Sequence, residues 1–309
     1  MSLISLGEAS KFTEIPDSTL RDYINKEKLE KYKDEKGFIC VDKKQVLKLN
    51  PTVISLYNFK GGVGKSSISI MLTDYYDFKN EKVLIIDFDP QANTTRTFFS
   101  SKELQDENNN YSSTLYDYFI DKKHLRDVVK TYNKNIDVLP ARLEMMEKSN
   151  ISHFDLMELR DDFFDIFKKY TMVIIDCPPA LNSFTTLGLL LCNYILIPFI
   201  PEPFSAEGVT SLLKSMKKVT QFNNDFCDFR IIFSRTKNQK IVLHEIFMES
   251  ISKILESNLL KNKIPEAILI AARGISRTNI FTEKDNAVEK IKDTFDELEN
   301  FIFNLREFK

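Results

Sequence analysis

The stretch Lys60-Gly61-Gly62-Val63-Gly64-Lys65-Ser66-Ser67 carries the residue types and spacing best suited to chemistry. Its glycines let the backbone curl until several N–H groups face one centre, which is how a turn holds phosphate. Lys65 is then set to reach the β- and γ-phosphates of a nucleotide, and the Ser66 hydroxyl to ligate Mg²⁺. Three acids complete the constellation. Asp87 and Asp89 close one apolar run, and Asp176 closes another. Carboxylates at the carboxyl ends of such runs are well placed to hold Mg²⁺ directly or through water.

The flanks of the loop must position it. Thr52 to Tyr57 is β-branched and apolar, as a buried parallel strand is, and Ile68, Met71, Leu72 and Tyr75 recur at helical spacing just downstream. Further runs at Val83–Asp87, Ile136–Leu139, Val173–Asp176, Tyr194–Pro198, Arg230–Ser234 and Ala267–Ala271 read as strands. Helical periods fall at Ser66–Phe78, Phe154–Lys169, Ala206–Phe222, Val242–Asn258 and Glu283–Leu305, while Ser101 to Ser113 reads as a polar, mobile loop. The alternation predicts an α/β fold with a doubly wound, mostly parallel sheet over residues 51–309. Asn50-Pro51 marks its start, because proline stops a preceding helix.

Lys60 at the head of the glycine run, with Asp87-Phe88-Asp89-Pro90-Gln91-Ala92-Asn93 and Asp176-Cys177-Pro178-Pro179, resembles the deviant Walker A ATPases of the ParA/Soj partition family. The likeness runs from about Val53 to about Leu305 and includes Ser113–Asp117, Ile136–Ala141 and Pro201–Gly208. It departs at Ile270–Arg277, where the family has a proline before the first arginine and a different arginine spacing. The resemblance implies a P-loop ATPase that uses ATP and Mg²⁺, bound by residues 60–67, with Ser67 on the α-phosphate. It implies that Asp89 orients or deprotonates the attacking water and that Asp87 and Asp176 support Mg²⁺ through water. Lys60 would act in trans, within a homodimer that sandwiches ATP. DNA binding without sequence preference, weak hydrolysis stimulated by a ParB-like centromere-binding partner, and a cytoplasmic, nucleoid-associated location are the corresponding expectations.

Residues 1–50 read as a separate module with 10 basic and 9 acidic residues. Ala9 and Phe12 mark a first helix, and Pro16-Asp17-Ser18 opens a second whose Leu20, Tyr23 and Ile24 face inward. A turn-rich stretch from Tyr32 to Val41 follows, then a third helix from Asp42 to Leu49. The order resembles a MerR-type winged helix-turn-helix, which would offer Thr19, Arg21 and Lys26 to a major groove. In the main body Lys214, Lys217, Lys218, Arg235, Lys237, Arg273 and Arg277 are the candidate phosphate-backbone contacts.

At a net charge of −2, with 43% hydrophobic and 28% charged residues, the chain of 309 residues is no general polyanion binder, so any DNA surface must be a local patch. Its four cysteines form no C-x-x-C pair and read as reduced thiols. The longest apolar run, Leu187 to Ile200, has 14 residues, too few to span a bilayer. Acids within the last helix argue for core packing and against a membrane-targeting tail. The rival expectations are an ATP-switched transcriptional regulator and a MinD-like membrane-positioning ATPase.

Overall fold

Short amphipathic segments open the chain. The computed structural model describes residues 3–13, 15–26, 29–47, 49–105, 113–148, 151–200, 205–236, 248–249, 255–266, 273 and 276–307. Strand β1 (Leu3–Ser5) leads into α1 (Leu6–Thr13) and α2 (Asp17–Asn25), followed by β2 (Tyr32–Lys33), β3 (Ile39–Asp42) and α3 (Lys43–Leu47). The three strands pair antiparallel in the order β1-β3-β2. At the tip between β2 and β3, Gly37 takes φ +83° and Asp34 Oδ1 accepts from the N–H groups of Lys36 (2.9 Å) and Phe38 (2.7 Å). Leu6, Ala9, Leu20, Leu29, Val41 and Val46 make a hydrophobic cluster belonging to this segment alone, with Tyr23 and Ile24 packed at its edge. Strand β1 has no counterpart in the sequence expectation, because three residues are too few to show a period. The Phe12 side chain lies outside what is described.

Beyond Pro51, longer apolar runs build a second sheet. Its strands are β4 (Thr52–Leu56), β5 (Val83–Asp87), β6 (Lys130–Thr131), β7 (Ile136–Leu139), β8 (Met172–Asp176), β9 (Tyr194–Phe199) and β10 (Asp228–Phe233). The order is β10-β9-β4-β8-β5-β7-β6, parallel throughout except for β6, which pairs antiparallel with β7 at the edge. Every residue of β4, β5, β8 and β9 is buried. That is the consequence of covering both faces of a parallel sheet with helices. On one face lie α4 (Lys65–Phe78) and the C-terminal helix Asn286–Glu307, whose Phe295, Leu298 and Ile302 are buried against Tyr75 and its neighbours. On the other, α8 (His153–Phe167), α9 (Ser183–Leu191) and α10 (Ser205–Thr220) enclose Phe88, Phe163, Phe184 and Leu187.

Gly188 shows how closely this second layer sits. A Cβ there would meet Cys177 Sγ at 2.7 Å and Ile175 Cγ2 and Ser55 Oγ at 3.3 Å, so only glycine lets α9 lie on β4 and β8. The connection from β5 to β6 carries three short helices: α5 (Asn93–Phe98), α6 (Leu115–Phe119) and α7 (Leu125–Val128). Part of the expected polar loop is folded. Ser101–Leu104 is a 3₁₀ turn closed by a capping box, in which Ser100 Oγ and Glu103 satisfy each other's backbone. The expected strand Ala267–Ala271, most of the expected helix Val242–Asn258 and the stretch Pro201–Phe204 lie outside the described residues.

Candidate functional site

The glycine turn with Lys65 and the three acids Asp87, Asp89 and Asp176 sit at the carboxyl ends of β4, β5 and β8, where open parallel sheets bind ligands. The chain leaves β4 and turns through residues 57–64 before α4 begins at Lys65. Gly62 (φ +75°) and Gly64 (φ +93°) occupy the left-handed region, which a side chain would strain. Neighbours brace the turn. Asn58 Nδ2 donates to Pro198 O (2.7 Å), Asn58 Oδ1 accepts from Lys60 N (2.9 Å), Ser234 Oγ donates to Val63 O (2.7 Å), and Arg235 Nη1 donates to Gly62 O (3.1 Å). The first turn of α4 thus opens its unpaired N–H groups and positive dipole end toward the cleft.

Lys65 is buried, with its ammonium on Asn58 O (3.0 Å) and Lys60 O (3.3 Å). Burial pulls its pKa down, and the nearby Asp176, Cys177 and Asp89 oppose that. A desolvated cation held only by neutral carbonyls is a strong attractor for an anion. Lys60, Gly61 and Gly62 are exposed on the outer side of the turn, while Ser66 and Ser67 are half-buried in its wall.

The acids sit deeper. Asp87 and Asp176 stand side by side, paired in register across β5 and β8, and both are completely buried. Asp87 Oδ2 accepts from the Thr95 N–H (2.8 Å) and hydroxyl (2.7 Å), and Oδ1 from Asp89 N (3.1 Å). Thr94 Oγ1 donates to Asp176 Oδ2 (2.6 Å). The other oxygen, Asp176 Oδ1, is buried and has no hydrogen-bond partner among the described residues. Burial, then mutual repulsion, pushes the Asp87 carboxyl well above its ordinary range. Asp176 is pushed to about 6, again chiefly by burial, with Thr94, Ser66 and Lys65 opposing and Asp89 adding. Asp89 lies at the rim, its Oδ1 accepting from Gln91 N (2.9 Å).

Between these groups runs a cleft of about 580 Å³. Gly61, Gly62, Gly64, Lys65, Ser66, Ser67, Asp89 and Pro179 line it, together with Ser234, Arg235, Ile264, Pro265 and Glu266. No group of three or more His, Cys, Asp or Glu side chains among the described residues is arranged to chelate a metal. Mg²⁺ needs none, since it keeps most of its waters and takes one or two protein oxygens beside phosphate. The Ser66 hydroxyl and the unpaired Asp176 oxygen fit that role, whereas Asp87 has both oxygens engaged and fits a place behind water.

Thr94 and Thr95, absent from the sequence expectation, hold the two buried acids. Their only local signal is a pair of hydroxyls just after the Asp-x-Asp run. Arg235, a candidate DNA contact, is exposed, and its guanidinium bridges Gly62 O and Glu266 (2.9 Å) in the cleft wall, where the chain takes φ +52°. The Arg273 expectation is corrected outright. Arg273 is 2% exposed and bonded to Asp74, so no duplex can reach it. Arg277 is half-buried and pairs with Glu103 (2.9 Å). Lys214, Lys217 and Lys218 are exposed on α10, and Lys237 lies outside the described residues. In the N-terminal segment Thr19 is half-buried, while Arg21 and Lys26 are exposed and paired with Asp17 (2.9 Å) and Asp22 (2.7 Å).

The AAA domain family model matches residues 51–229. The chain is 30% identical over 224 residues to the chromosome-partitioning ATPase Soj of Treponema pallidum, covering 68% of this chain and 83% of that protein. This chain belongs to the ParA/Soj family of partition ATPases. Solved structures show the same fold. A putative plasmid partition protein of Borrelia burgdorferi B31 bound to AMPPNP matches 81% of this chain and 99% of its own, at TM-score 0.64 and 23% identity. Cobyrinic acid a,c-diamide synthase of Mycobacterium smegmatis with ADP and magnesium matches 81% and 95%, at TM-score 0.67 and 17% identity. Membership in a family of P-loop ATPases agrees with the phosphate-loop geometry, a nucleotide and Mg²⁺.

Proposed function

We propose that this chain is a DNA-partition ATPase that binds MgATP in the cleft, closes with a second copy over the nucleotide, and in that state holds DNA without sequence preference. Hydrolysis follows engagement of a ParB-like partner and resets the cycle. The observation that carries the reading is the pairing of a braced glycine turn and its desolvated Lys65 with a buried, partnerless Asp176 oxygen. A buried polar atom without a partner is costly, and a metal-bound nucleotide beside it relieves that cost.

Residues 61–67 cradle the phosphates through backbone N–H groups, and Lys65 leaves its carbonyls for the β- and γ-oxygens. Ser67 bonds the α-phosphate. Mg²⁺, when bound, would neutralise phosphate charge. Ser66 and Asp176 are the residues that would hold it, with Asp87 supporting from behind water. Asp89, at the rim of the same cleft, orients the attacking water and accepts its proton. Lys60, exposed at the outer edge of the turn, reaches the nucleotide of the facing copy, so that hydrolysis depends on assembly.

The lysines of α10 are the described part of the DNA surface. The N-terminal segment, a three-stranded sheet with three helices and its own core, supports a winged helix-turn-helix that presents Thr19, Arg21 and Lys26 of α2. The pairs Arg21–Asp17 and Lys26–Asp22 are exposed and weak, so exchanging them for DNA phosphates costs little. Domains at 1–50 and 51–309, a plasmid or chromosome region as cargo, and control of its own operator follow from that reading. No helix among the described residues is long and apolar enough to cross a membrane. A cytoplasmic, nucleoid-associated protein is the corresponding proposal.

The separate N-terminal core also favours one second reading, an ATP-switched transcriptional regulator. Gel shifts on random and operator DNA with ATP, ADP or no nucleotide, across a salt series, test both. ATP-dependent, salt-steep binding to random duplex supports partition. Binding confined to one sequence, with an ATPase that neither DNA nor a partner stimulates, supports the regulator.

A further inference from the structure

A charged pair shut inside a protein needs an explanation, because two ions pay a desolvation cost that their attraction barely offsets. Asp74, in the third turn of α4, is fully buried and Arg273 is 2% exposed. The guanidinium fork grips both carboxylate oxygens, Nε to Oδ2 at 2.8 Å and Nη2 to Oδ1 at 3.1 Å. Asp74 Oδ2 also accepts from Ile280 N (3.3 Å), and Asn279 Nδ2 donates to Asp74 O (2.8 Å) and to Asp77 Oδ2 (2.9 Å). Arg273, Asn279 and Ile280 are thereby stitched to the helix that starts at the phosphate loop.

The same guanidinium touches a third element. It lies 5.2 Å from the ring centroid of Phe98, the last residue of α5, and 5.8 Å from that of Tyr132. Helix α5 is the one whose Thr94 and Thr95 hold Asp176 and Asp87. Ile264–Glu266 also line the cleft, tied to the strand β10 side by Ile264 N to Phe233 O (2.8 Å) and Glu266 N to Thr236 O (3.0 Å). One buried cation therefore joins the helix of the phosphate turn and the helix of the acids.

We infer that the Asp74–Arg273 pair positions the nucleotide cleft, fixing α4 and α5 relative to each other. Stability alone does not call for this pair, since apolar side chains of similar size at such a place are often as stable or more so. A planar, bidentate fork fixes orientation in a way that an apolar contact does not. The inference rests on the cleft binding MgATP and makes these two positioning residues, remote from the phosphates.

The test replaces the pair by apolar residues, Asp74→Leu with Arg273→Met, and compares urea unfolding, affinity for a fluorescent ATP analogue with Mg²⁺, and amide exchange of α5. The expected result is an unfolding midpoint at or above the wild type's, with nucleotide affinity lowered about fivefold or more and nucleotide-induced protection of residues 93–98 lost. A midpoint and an affinity both unchanged within twofold would make the pair a structural contact and overturn the inference. If the double variant does not fold, Arg273→Lys decides: it keeps the charge and loses the fork, and is expected to weaken nucleotide binding, whereas native affinity overturns the inference. Wild-type protein that binds no nucleotide overturns the proposed function itself, and this inference with it.

Discussion

Asp176→Asn is expected to stabilise the nucleotide-free protein at neutral pH and to leave it unimproved in acid. In the fold, burial lifts the carboxyl from its ordinary 3.8 to about 6, so ionised Asp176 is tolerated rather than favoured. The folded state then holds a proton that the unfolded chain has already released. Stability therefore falls as pH rises from about 4 through about 6 and is level above. At 1.36 kcal/mol per pKa unit the full loss is about 3 kcal/mol. Asn carries no charge, so the loss disappears in the variant, and relief of the neighbouring Asp87 adds in the same direction. The amide has its own packing cost, but that cost is the same at every pH. The readout is thus the difference between variant and wild type in urea unfolding free energy at pH 8 minus that at pH 4.5, expected at about 2–3 kcal/mol in favour of the variant. A difference flat across that range would refute the claim that these buried carboxyls are under electrostatic stress until a metal nucleotide arrives. Saturating MgATP should narrow the gap, because ligand that binds the wild type more tightly stabilises it more.

Other perturbations follow from the same geometry. Asp89→Ala should preserve ATP-dependent self-association while abolishing phosphate release, measured by sedimentation and a phosphate assay; normal turnover would remove Asp89 from the role given to it. Lys60→Ala should leave nucleotide affinity within about twofold but suppress turnover, since this exposed side chain serves the facing copy. Gly188→Ala should lower stability by about 1–3 kcal/mol in thermal or urea melts, because its methyl group would overlap Cys177 Sγ. Phe295→Ala should cost about 3–5 kcal/mol, as a completely buried aromatic removed from the contact between α4 and the last helix.

The parts of this fold that show in the sequence are those with a local cause. The glycine turn declares itself because only glycine relaxes at Gly62 and Gly64, and its flanks carry strand and helix periods. Runs such as Val83–Asp87 and Tyr194–Pro198 are legible because a strand buried on both faces is nearly continuously apolar, while Ile136–Leu139 emerges with its expected bounds despite a half-buried Asp137. The last helix shows its packed face through the spacing of Phe295, Leu298 and Ile302. What escapes the sequence depends on partners far along the chain. Nothing near Arg273 announces that Asp74 waits 199 residues away, so a basic residue beside a second arginine looks like a surface group. Arg235 looks the same until the Gly62 carbonyl and Glu266 are beside it. Thr94 and Thr95 are ordinary hydroxyls until α5 folds against the two acids.

The central claim is that a triphosphate held at the turn after β4 brings two chains together. Sedimentation velocity of the Asp89→Ala protein at fixed concentration, with MgATP, MgADP or no nucleotide, addresses it directly. The account predicts a shift from one chain to two with MgATP alone, and no shift when Lys65→Ala is added. A single-chain species under saturating MgATP, or a dimer indifferent to nucleotide and to Lys65, would contradict it.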